Sequence, residues 1–193
     1  MPTAASSTWK RGFPLFTGIV FLLYSCSSKN GSGEEMKQME ESLMNSIQLI
    51  NLSTQMALKG LVEKTQDPIT MERSGIWFPK ARQIVNLTRE LYNYIDSIKK
   101  ETGIRKNSID SINTRLSVYK EDLLKLDPSI QLEFKHTIGS IKPIPENAKA
   151  SLLIRLQNDI KIVENRMITY CDIRTSVVIL YDDFTQIVIG QKQ

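Results

Sequence analysis

The chain has 193 residues, which is enough for one domain with a substantial hydrophobic core. Its apolar share of 41% and charged share of 24% are ordinary for a globular protein. Nine glycines and seven prolines are few for an all-β fold with many tight turns, so these numbers disfavour that class. The formal net charge of +4 is weak, and no basic patch is interleaved with aromatic residues, which argues against nucleic-acid binding.

Residues 1–25 have the pattern of a secretory signal peptide. Lys10 and Arg11 precede an apolar run of about fourteen residues, which is short of the ~20 needed to span a bilayer. The run ends at Leu23-Tyr24-Ser25-Cys26, which resembles a bacterial lipobox, although Tyr24 stands where a small residue is usual. We therefore predict a lipoprotein signal peptide over 1–25. The alternatives are an ordinary cleaved signal and an uncleaved anchor.

Cys26 is the predicted lipid anchor, and residues 26–33 form a Gly/Ser-rich tether of the kind that follows such an anchor. Ser27 stands where an acidic residue would signal retention in the inner membrane, which favours the outer membrane. The predicted location is the cell envelope, lipid-anchored and facing the periplasm.

Residues 34–193 are predicted to form one helical domain. The first helix is expected over 34–64, with an apolar face that includes Met36 and Met39. A second helix is expected from Pro79, a residue favoured in a first turn, to Glu101. A third helix covers 109–126, with Ser108 as its candidate N-cap and Pro128 as its stop. The regular pattern dissolves over 127–146, which predicts an irregular segment.

The fourth helix begins near Glu146 or Asn147 and is the element around which the others are expected to pack. Its apolar residues recur at alternating steps of three and four, which places them on one face. From Ser176 onward the helix either continues or breaks into a short extended tail, and the density of β-branched residues favours the break. The apolar stripe consists of Leu153, Leu156, Ile160, Val163, Met167 and Tyr170, and we expect Arg155, Asn158, Lys161 and Asn165 on the solvent-facing side.

Few residues suggest a catalytic or metal site. His136 is the only histidine, so a zinc site of the usual kind or a Ser-His-Asp arrangement has little to build on. Apart from Cys26, the only cysteine is Cys171, which we interpret as a small buried hydrophobic residue rather than a catalytic thiolate. The sequence predicts no catalytic residues, no metal and no cofactor.

Two helical segments resemble the N-terminal periplasmic domain of the gliding-motility protein GldM, called PorM in non-gliding relatives. The first segment is 81–100, and the second is Leu-Ile-Arg-Leu-Gln-Asn-Asp-Ile at 153–160. The tail at 183–189 also resembles the short strand by which that family leaves its helical domain. The matching residues of the first segment are Tyr92, Tyr94, Ile95, Asp96 and Ser97.

This resemblance implies a helical bundle of the Bacteroidetes cell envelope, associated with gliding motility and type IX secretion. The family begins with a transmembrane helix and continues into β-rich domains, whereas here a lipobox precedes the helices and the sequence given ends at Gln193. We therefore expect a stand-alone paralogue of the first domain that acts as an interaction or structural module rather than as an enzyme.

The predicted fold is all-α: an up-down bundle of about four helices with one long C-terminal helix and, in one reading, a short terminal strand. Expected partners are envelope proteins, among them secretion or motility components, and a second copy of the chain is a further candidate. Gln157, Asn158 and Asp159 are the candidate contact residues, because they are taken to be exposed. The alternative is a lipoprotein that binds a small ligand or peptide between its helices, in a pocket lined by Trp77, Phe78 and Tyr119.

Overall fold

A computed structural model describes residues 33–100, 104–146 and 149–190, with only the backbone for residues 177–190. These residues form helices and connections without a strand, so the all-α prediction is confirmed. The described part contains five helices instead of about four: α1 Gly33–Lys64, α2 Met71–Lys99, α3 Lys106–Lys125, α4 Pro128–Ser140 and α5 Ala150–Gly190.

Helix α5 is the centre of the bundle, as predicted. Its apolar stripe is almost inaccessible to solvent: Leu153, Ile160 and Met167 are each 0% exposed. Helices α2 and α4 pack against α5, and α1 is joined to it by hydrogen bonds. A helix of this length needs such cover, because most helical stability in proteins comes from tertiary packing of the apolar face.

Helices that follow one another along the chain alternate in direction, which confirms the up-down arrangement. Helix α1 runs parallel to α5, α2 runs antiparallel to both, and α3 runs antiparallel to α2. Side-chain pairs near both ends of each contact fix these directions. They are Thr54–Asn165 and Lys64–Asp172 for α1 and α5, Trp77–Tyr170 and Lys99–Gln157 for α2 and α5, and Thr88–Tyr119 and Tyr94–Ser111 for α2 and α3.

Helix α1 has the predicted bounds but only part of the predicted buried face. Ile47 and Leu61 are buried, whereas Met36 and Met39 are 38% and 50% exposed. The contacts of the chain divide it into two units, Met1–Lys37 and Gln38–Gln193, with the boundary in this helix. All of the packing described here lies in the second unit.

Helix α2 begins at Met71, eight residues before Pro79, so the prediction that Pro79 opens the helix is wrong. A proline inside a helix removes one backbone hydrogen bond and normally disfavours continuation. Here the flanking side chains of Trp77 and Ala81 are buried in the core, and their packing holds the helix through the proline. Tertiary packing therefore outweighs the local preference.

Side-chain hydrogen bonds stabilise the turn between α1 and α2. The Oγ atoms of Thr70 and Ser74 both donate hydrogen bonds to the carbonyl oxygen of Lys64, at 2.6 and 3.0 Å. This carbonyl lies at the end of α1 and would otherwise lack a partner within its own helix. The two hydroxyl groups thus connect the end of α1 to the start of α2.

Ser108 is not the N-cap of α3. Arg105 occupies that position with an extended backbone, and Ser108 lies in the first turn of the helix. Ser108 directly precedes the apolar pattern, but the helix starts one turn earlier than that pattern. The predicted range 109–126 nevertheless contains the buried stripe of the helix, which includes Ile109, Ile112 and Leu116.

The prediction of an irregular segment over 127–146 is wrong for its first half, which forms α4. Asp127 is the N-cap: its carboxylate accepts a hydrogen bond from the backbone nitrogen of Ser129 at 2.8 Å, and Pro128 occupies the first turn. This is a standard helix start, and it was interpreted only as the end of α3. The buried residues Ile130, Phe134 and Ile138 recur at steps of four.

The second half of that segment has no regular secondary structure and is hydrogen-bonded to α3. The Asn113 side chain donates to the carbonyl oxygen of Ile144 at 2.9 Å and accepts from its backbone nitrogen at 2.8 Å. Lys120 donates to the carbonyl oxygen of Ile141. These bonds satisfy backbone groups that a connection without secondary structure leaves open.

The predicted break near Ser176 and the terminal strand are also wrong, because α5 continues as one helix to Gly190. The segment contains no proline, and its only glycine is the last residue of the helix. β-Branched residues lower helix propensity only slightly, so their density does not end a helix that is already formed.

The capping residue Asp127 generates a prediction about stability in acid. Burial alone would raise the pKa of its carboxyl group, but hydrogen bonds from Lys80 and Ser129 outweigh burial and lower the pKa from 3.8 to about 2. Because the pKa is lower in the folded state, the carboxylate stabilises the fold above pH ~4, and this contribution is lost as the pH falls toward ~2.

We expect Asp127→Asn to lower the free energy of unfolding by about 2 kcal/mol at pH 7, with a difference from wild type that shrinks below pH ~4. Urea unfolding at several pH values measures both quantities. Glu133→Gln, which removes an exposed carboxylate from the same helix, is the control and should have little effect. Equal effects of the two substitutions would contradict the role of Asp127.

Candidate functional site

The three predicted contact residues on α5 point in different directions, since successive residues of a helix are about 100° apart. Gln157 is 0% exposed. Its Nε2 atom donates to the carbonyl oxygen of Tyr92 at 3.3 Å, and its Oε1 atom accepts from Lys99 at 2.8 Å. Gln157 therefore holds α2 against α5, and the assumption that it is exposed is wrong.

Asn158 is also buried, at 8% exposure, and its Oδ1 atom has no hydrogen-bond partner among the described residues. Asp159 is half-buried. Burial raises the pKa of the Asp159 carboxyl, and the charge of Arg155 opposes that rise. The exposure prediction failed for Gln157 and Asn158 because several helices cover α5, whereas one stripe had been assumed. Of the three residues, Asp159 is the one that remains accessible to a partner.

Cys26, the predicted lipid anchor, lies outside the described residues, as do the signal peptide and most of the tether. Its acylation stays a prediction. Within 33–100, 104–146 and 149–190, no helix is both long enough and apolar enough to cross a bilayer.

A groove of about 330 Å³ lies between α1, α2 and α5. At its α5 wall, Lys161 and Glu164 form an ion pair with an Nζ–Oε2 distance of 2.7 Å, and the Glu164 residue is only 1% exposed. The pKa of the Glu164 carboxyl is raised, because the effect of burial outweighs the opposite effects of Lys161 and Arg89. The other residues that line the groove are Asn51, Thr54, Gln55, Leu58, Val85, Arg89, Tyr92 and Asn93.

This groove combines an aromatic ring with charged and amide groups. The Lys161 ammonium lies 5.5 Å from the centre of the Tyr92 ring, a distance at which a cation–π interaction contributes. Amides and a buried charged pair can orient a polar ligand by hydrogen bonds. The sequence interpretation missed this pair because it placed Lys161 on the solvent-facing side. Glu164 directly follows Val163, a residue of the buried stripe. This position is the sequence feature from which burial of Glu164 could have been predicted.

The pocket predicted around Trp77, Phe78 and Tyr119 is not formed by those residues. Trp77 packs edge-on against Tyr170, with ring centres 5.8 Å apart. Tyr119 is 3% exposed, and its hydroxyl group shares a hydrogen bond with Thr88 at 3.2 Å. Both aromatic residues therefore fill the core instead of lining a cavity.

The two candidate reactive residues have the properties of structural positions. Cys171 is 0% exposed, and burial raises the pKa of its thiol to about 12. A thiol with this pKa is almost entirely protonated near pH 7 and is a poor nucleophile. His136 is exposed on α4, not in a loop. Among the described residues, no three His, Cys, Asp or Glu side chains are grouped to hold a metal ion.

A second surface follows α5 along its border with α4. Grooves of about 380, 240 and 300 Å³ lie end to end along this border. Thr137 and Arg166 line both the first and the second groove, and Ser140 and Asp159 line both the second and the third. The three grooves are therefore parts of one continuous surface with Asp159 near its middle.

Residues 34–115 match the GldM N-terminal domain. The matched residues comprise nearly all of α1, all of α2 and the first half of α3, including the segment 81–100 on which the resemblance was based. The predicted resemblance of the segment 81–100 to the GldM N-terminal domain is thereby confirmed. The resemblance at 153–160 lies beyond the matched residues and stays a prediction. No curated protein and no solved structure matches the chain.

The ion pair in the α1–α2–α5 groove generates a second prediction. A carboxyl group whose pKa is raised by folding stabilises the fold at low pH, and this contribution is lost as the pH rises through the folded-state pKa. We therefore expect Glu164→Gln to raise the melting temperature at pH 7 relative to wild type, and to raise it less at pH 4. Differential scanning calorimetry at the two pH values measures this difference.

Glu90→Gln is the matched control, because Glu90 is an exposed carboxylate on α2. Its melting temperature should stay near that of wild type at both pH values. A large destabilisation by Glu164→Gln at pH 7 would mean that the bond to Lys161 outweighs the cost of burying the charge.

Proposed function

We propose that this protein is a non-enzymatic, lipid-anchored helical module of the bacterial cell envelope that binds other envelope proteins. The observation that carries this proposal is the match of residues 34–115 to the GldM N-terminal domain. That match associates the helical module with gliding motility and type IX secretion. Within this proposal the protein faces the periplasm, with the outer membrane favoured.

The chemistry of the described residues supports a binding role. Gln157, which α5 carries into the core, bonds to Lys99 and Tyr92 of α2 and thereby fixes how α2 and α5 pack. The buried Glu164 carboxylate is held by Lys161 within α5. The Cys171 thiol is buried and protonated near neutral pH. These properties suit a rigid module that presents surfaces to partners.

A second candidate function is the binding of a small ligand or peptide. The groove between α1, α2 and α5 favours it, because a charged side chain is buried there only at a cost in stability, and such groups cluster at functional sites. In this case Arg89, Tyr92 and Lys161 would contact the ligand, and Glu164 would orient Lys161.

The lipid anchor is tested by metabolic labelling with radioactive palmitate. We expect wild-type protein to incorporate the label and Cys26→Ala to incorporate none, since the acylated thiol is then missing. Cys171→Ala serves as the control and should be labelled like wild type, because Cys171 is buried. Equal labelling of wild type and Cys26→Ala would contradict lipidation at this residue.

The two candidate functions are separated by affinity capture of the tagged full chain from detergent-solubilised envelopes. If the protein binds other envelope proteins, gliding or type IX secretion components should be recovered. Substitution of the accessible Asp159 with lysine should reduce that recovery. Native mass spectrometry of the same preparation detects a co-purified small molecule, which the second requires. Repeated absence of secretion components together with a bound small molecule would favour the second function over the first.

A further inference from the structure

The charge of the groove between α1, α2 and α5 limits what it can bind. Among the described residues that line it, three are charged: Arg89, Lys161 and Glu164. Two cations and one carboxylate leave an excess of one positive charge. Such a groove attracts a monoanion, whereas the Glu164 carboxylate would repel the second charge of a dianion.

The two cations act on one point of the groove. Lys161 donates a hydrogen bond to the Glu164 carboxylate at 2.7 Å, and Lys161 and Arg89 both oppose the rise in the pKa of that carboxyl that burial causes. Because such an electrostatic effect weakens with distance, the Arg89 guanidinium lies near the same carboxylate. Arg89 is exposed and forms no hydrogen bond with another described residue, so its donors are available to a ligand.

A guanidinium group is suited to a carboxylate ligand, since its planar N–H groups match two carboxylate oxygens at once. The Lys161 ammonium has three donors, and its bond to Glu164 uses one of them. Arg89 and Lys161 can therefore bind the same carboxylate from two sides of the groove.

The groove offers no partner for an ammonium group of a ligand. Glu164 is the only carboxylate among its described lining residues, is 1% exposed and is already bonded to Lys161. An ammonium group next to the ligand's carboxylate would lie near Arg89 and Lys161, and like charges repel. The groove therefore disfavours a free amino acid and favours a carboxylate whose neighbouring nitrogen belongs to an amide.

Side-chain amides on two walls of the groove can bind the amide groups of such a ligand. Asn51 and Gln55 are one turn apart on α1, and Asn93 is one turn after Arg89 on α2. None of these three amide side chains is hydrogen-bonded to another described residue. Each carries both donors and an acceptor, which are the groups that a peptide unit requires.

Apolar side chains form another part of the groove wall. Leu58, Val85 and Tyr92 are partly buried and pack against the core. They provide an apolar surface near the charged centre, which suits a small aliphatic side chain. The volume of about 330 Å³ is near the lower limit for ligand pockets, so only a short ligand fits.

We propose that the α1–α2–α5 groove binds the C-terminal end of a peptide. The terminal carboxylate bonds to Arg89 and Lys161, the side-chain amides bond to the preceding peptide groups, and the last side chain is small and apolar. The chain end belongs either to a short free peptide or to a protein with an accessible C-terminus, since both present the same groups. This inference rests on the second candidate function and names its ligand.

The ligand class is tested with N-acetyl-alanyl-valine and its C-terminal amide, which differ only in the carboxylate. Ligand-observed NMR titration of the full chain in detergent measures both dissociation constants. We expect the acid to bind at least about tenfold more tightly than the amide, because only the acid forms charge-assisted bonds with both cations. N-acetylvaline should likewise bind more tightly than valine, whose ammonium group finds no partner.

The position of the site is tested by Arg89→Gln. The preference for the acid over the amide should fall at least about fivefold, since one of the two cations is lost, whereas the affinity for the amide should change little. A general structural effect would weaken both ligands alike. Arg82→Gln is the matched control, because Arg82 is also exposed on α2 but does not line the groove. It should keep the wild-type preference, and circular dichroism verifies that both variants are folded.

The two sources of the chain end are distinguished with a carrier protein that ends in alanyl-valine after a flexible linker. Binding of the carrier with an affinity close to that of the dipeptide indicates a protein C-terminus. Binding of the dipeptide alone indicates a short free peptide. Either result supports recognition of a chain end.

Equal affinities for the acid and the amide would overturn the inference but leave ligand binding in the groove intact. A preference for the acid that survives Arg89→Gln would place the carboxylate elsewhere and would also overturn it. No binding of either ligand at concentrations up to about 10 mM would overturn both the inference and the second candidate function. Asp159 does not line this groove, so capture of envelope proteins tests the first function separately.

Discussion

The burial of α5 is the constraint on which the rest of the structure depends. The apolar stripe of α5 from Leu153 to Tyr170 cannot remain open to water. Helices α2 and α4 pack against it, and Leu61 of α1 belongs to the same buried cluster. Leu153, Ile160 and Met167 lose all of their exposure in this way. The turn between α1 and α2, the N-cap of α4 and the segment that is hydrogen-bonded to α3 fix the positions of the surrounding helices.

The helices that pack against α5 cover more than its apolar stripe, so they also bury polar residues of α5. Gln157, Asn158 and Glu164 also become buried, although their side chains require hydrogen-bond partners there. Gln157 finds its partners on α2, and these bonds set the registry between α2 and α5. Glu164 is bonded by Lys161 of its own helix. The Oδ1 atom of Asn158 finds none among the described residues. Polar groups inside the bundle thus favour one packing arrangement over others at some cost in stability.

Where the cover ends, the bundle offers surfaces for interaction. The α1–α2–α5 groove presents a buried ion pair, and the surface along the border of α4 and α5 presents Asp159 and Arg166. These surfaces differ in chemistry, and the groove suits a polar ligand. One helical core can therefore support more than one contact.

Much of the fold could be predicted from periodicity. The bounds of α1, the buried stripe of α5 and the central place of α5 follow from apolar residues spaced for one helix face. The errors occurred where local signals were ambiguous. Pro79 can open a helix or be held inside one by the packing of Trp77, and Asp127-Pro128 can end one helix while starting the next. The candidate site was predicted less well, because exposure depends on which helices lie beside each residue.

The sequence by itself determined that this protein is all-α, that a long helix forms its core, and that residues of the GldM type lie in its second helix, because helical periodicity and short motifs are local properties. Only the tertiary structure decided that Gln157 and Asn158 are buried, that Lys161 and Glu164 pair in a groove, and that Asp159 remains accessible. These features depend on the number of helices that surround α5 and on their directions. No local pattern encodes that information, because it arises from contacts between residues far apart in the chain.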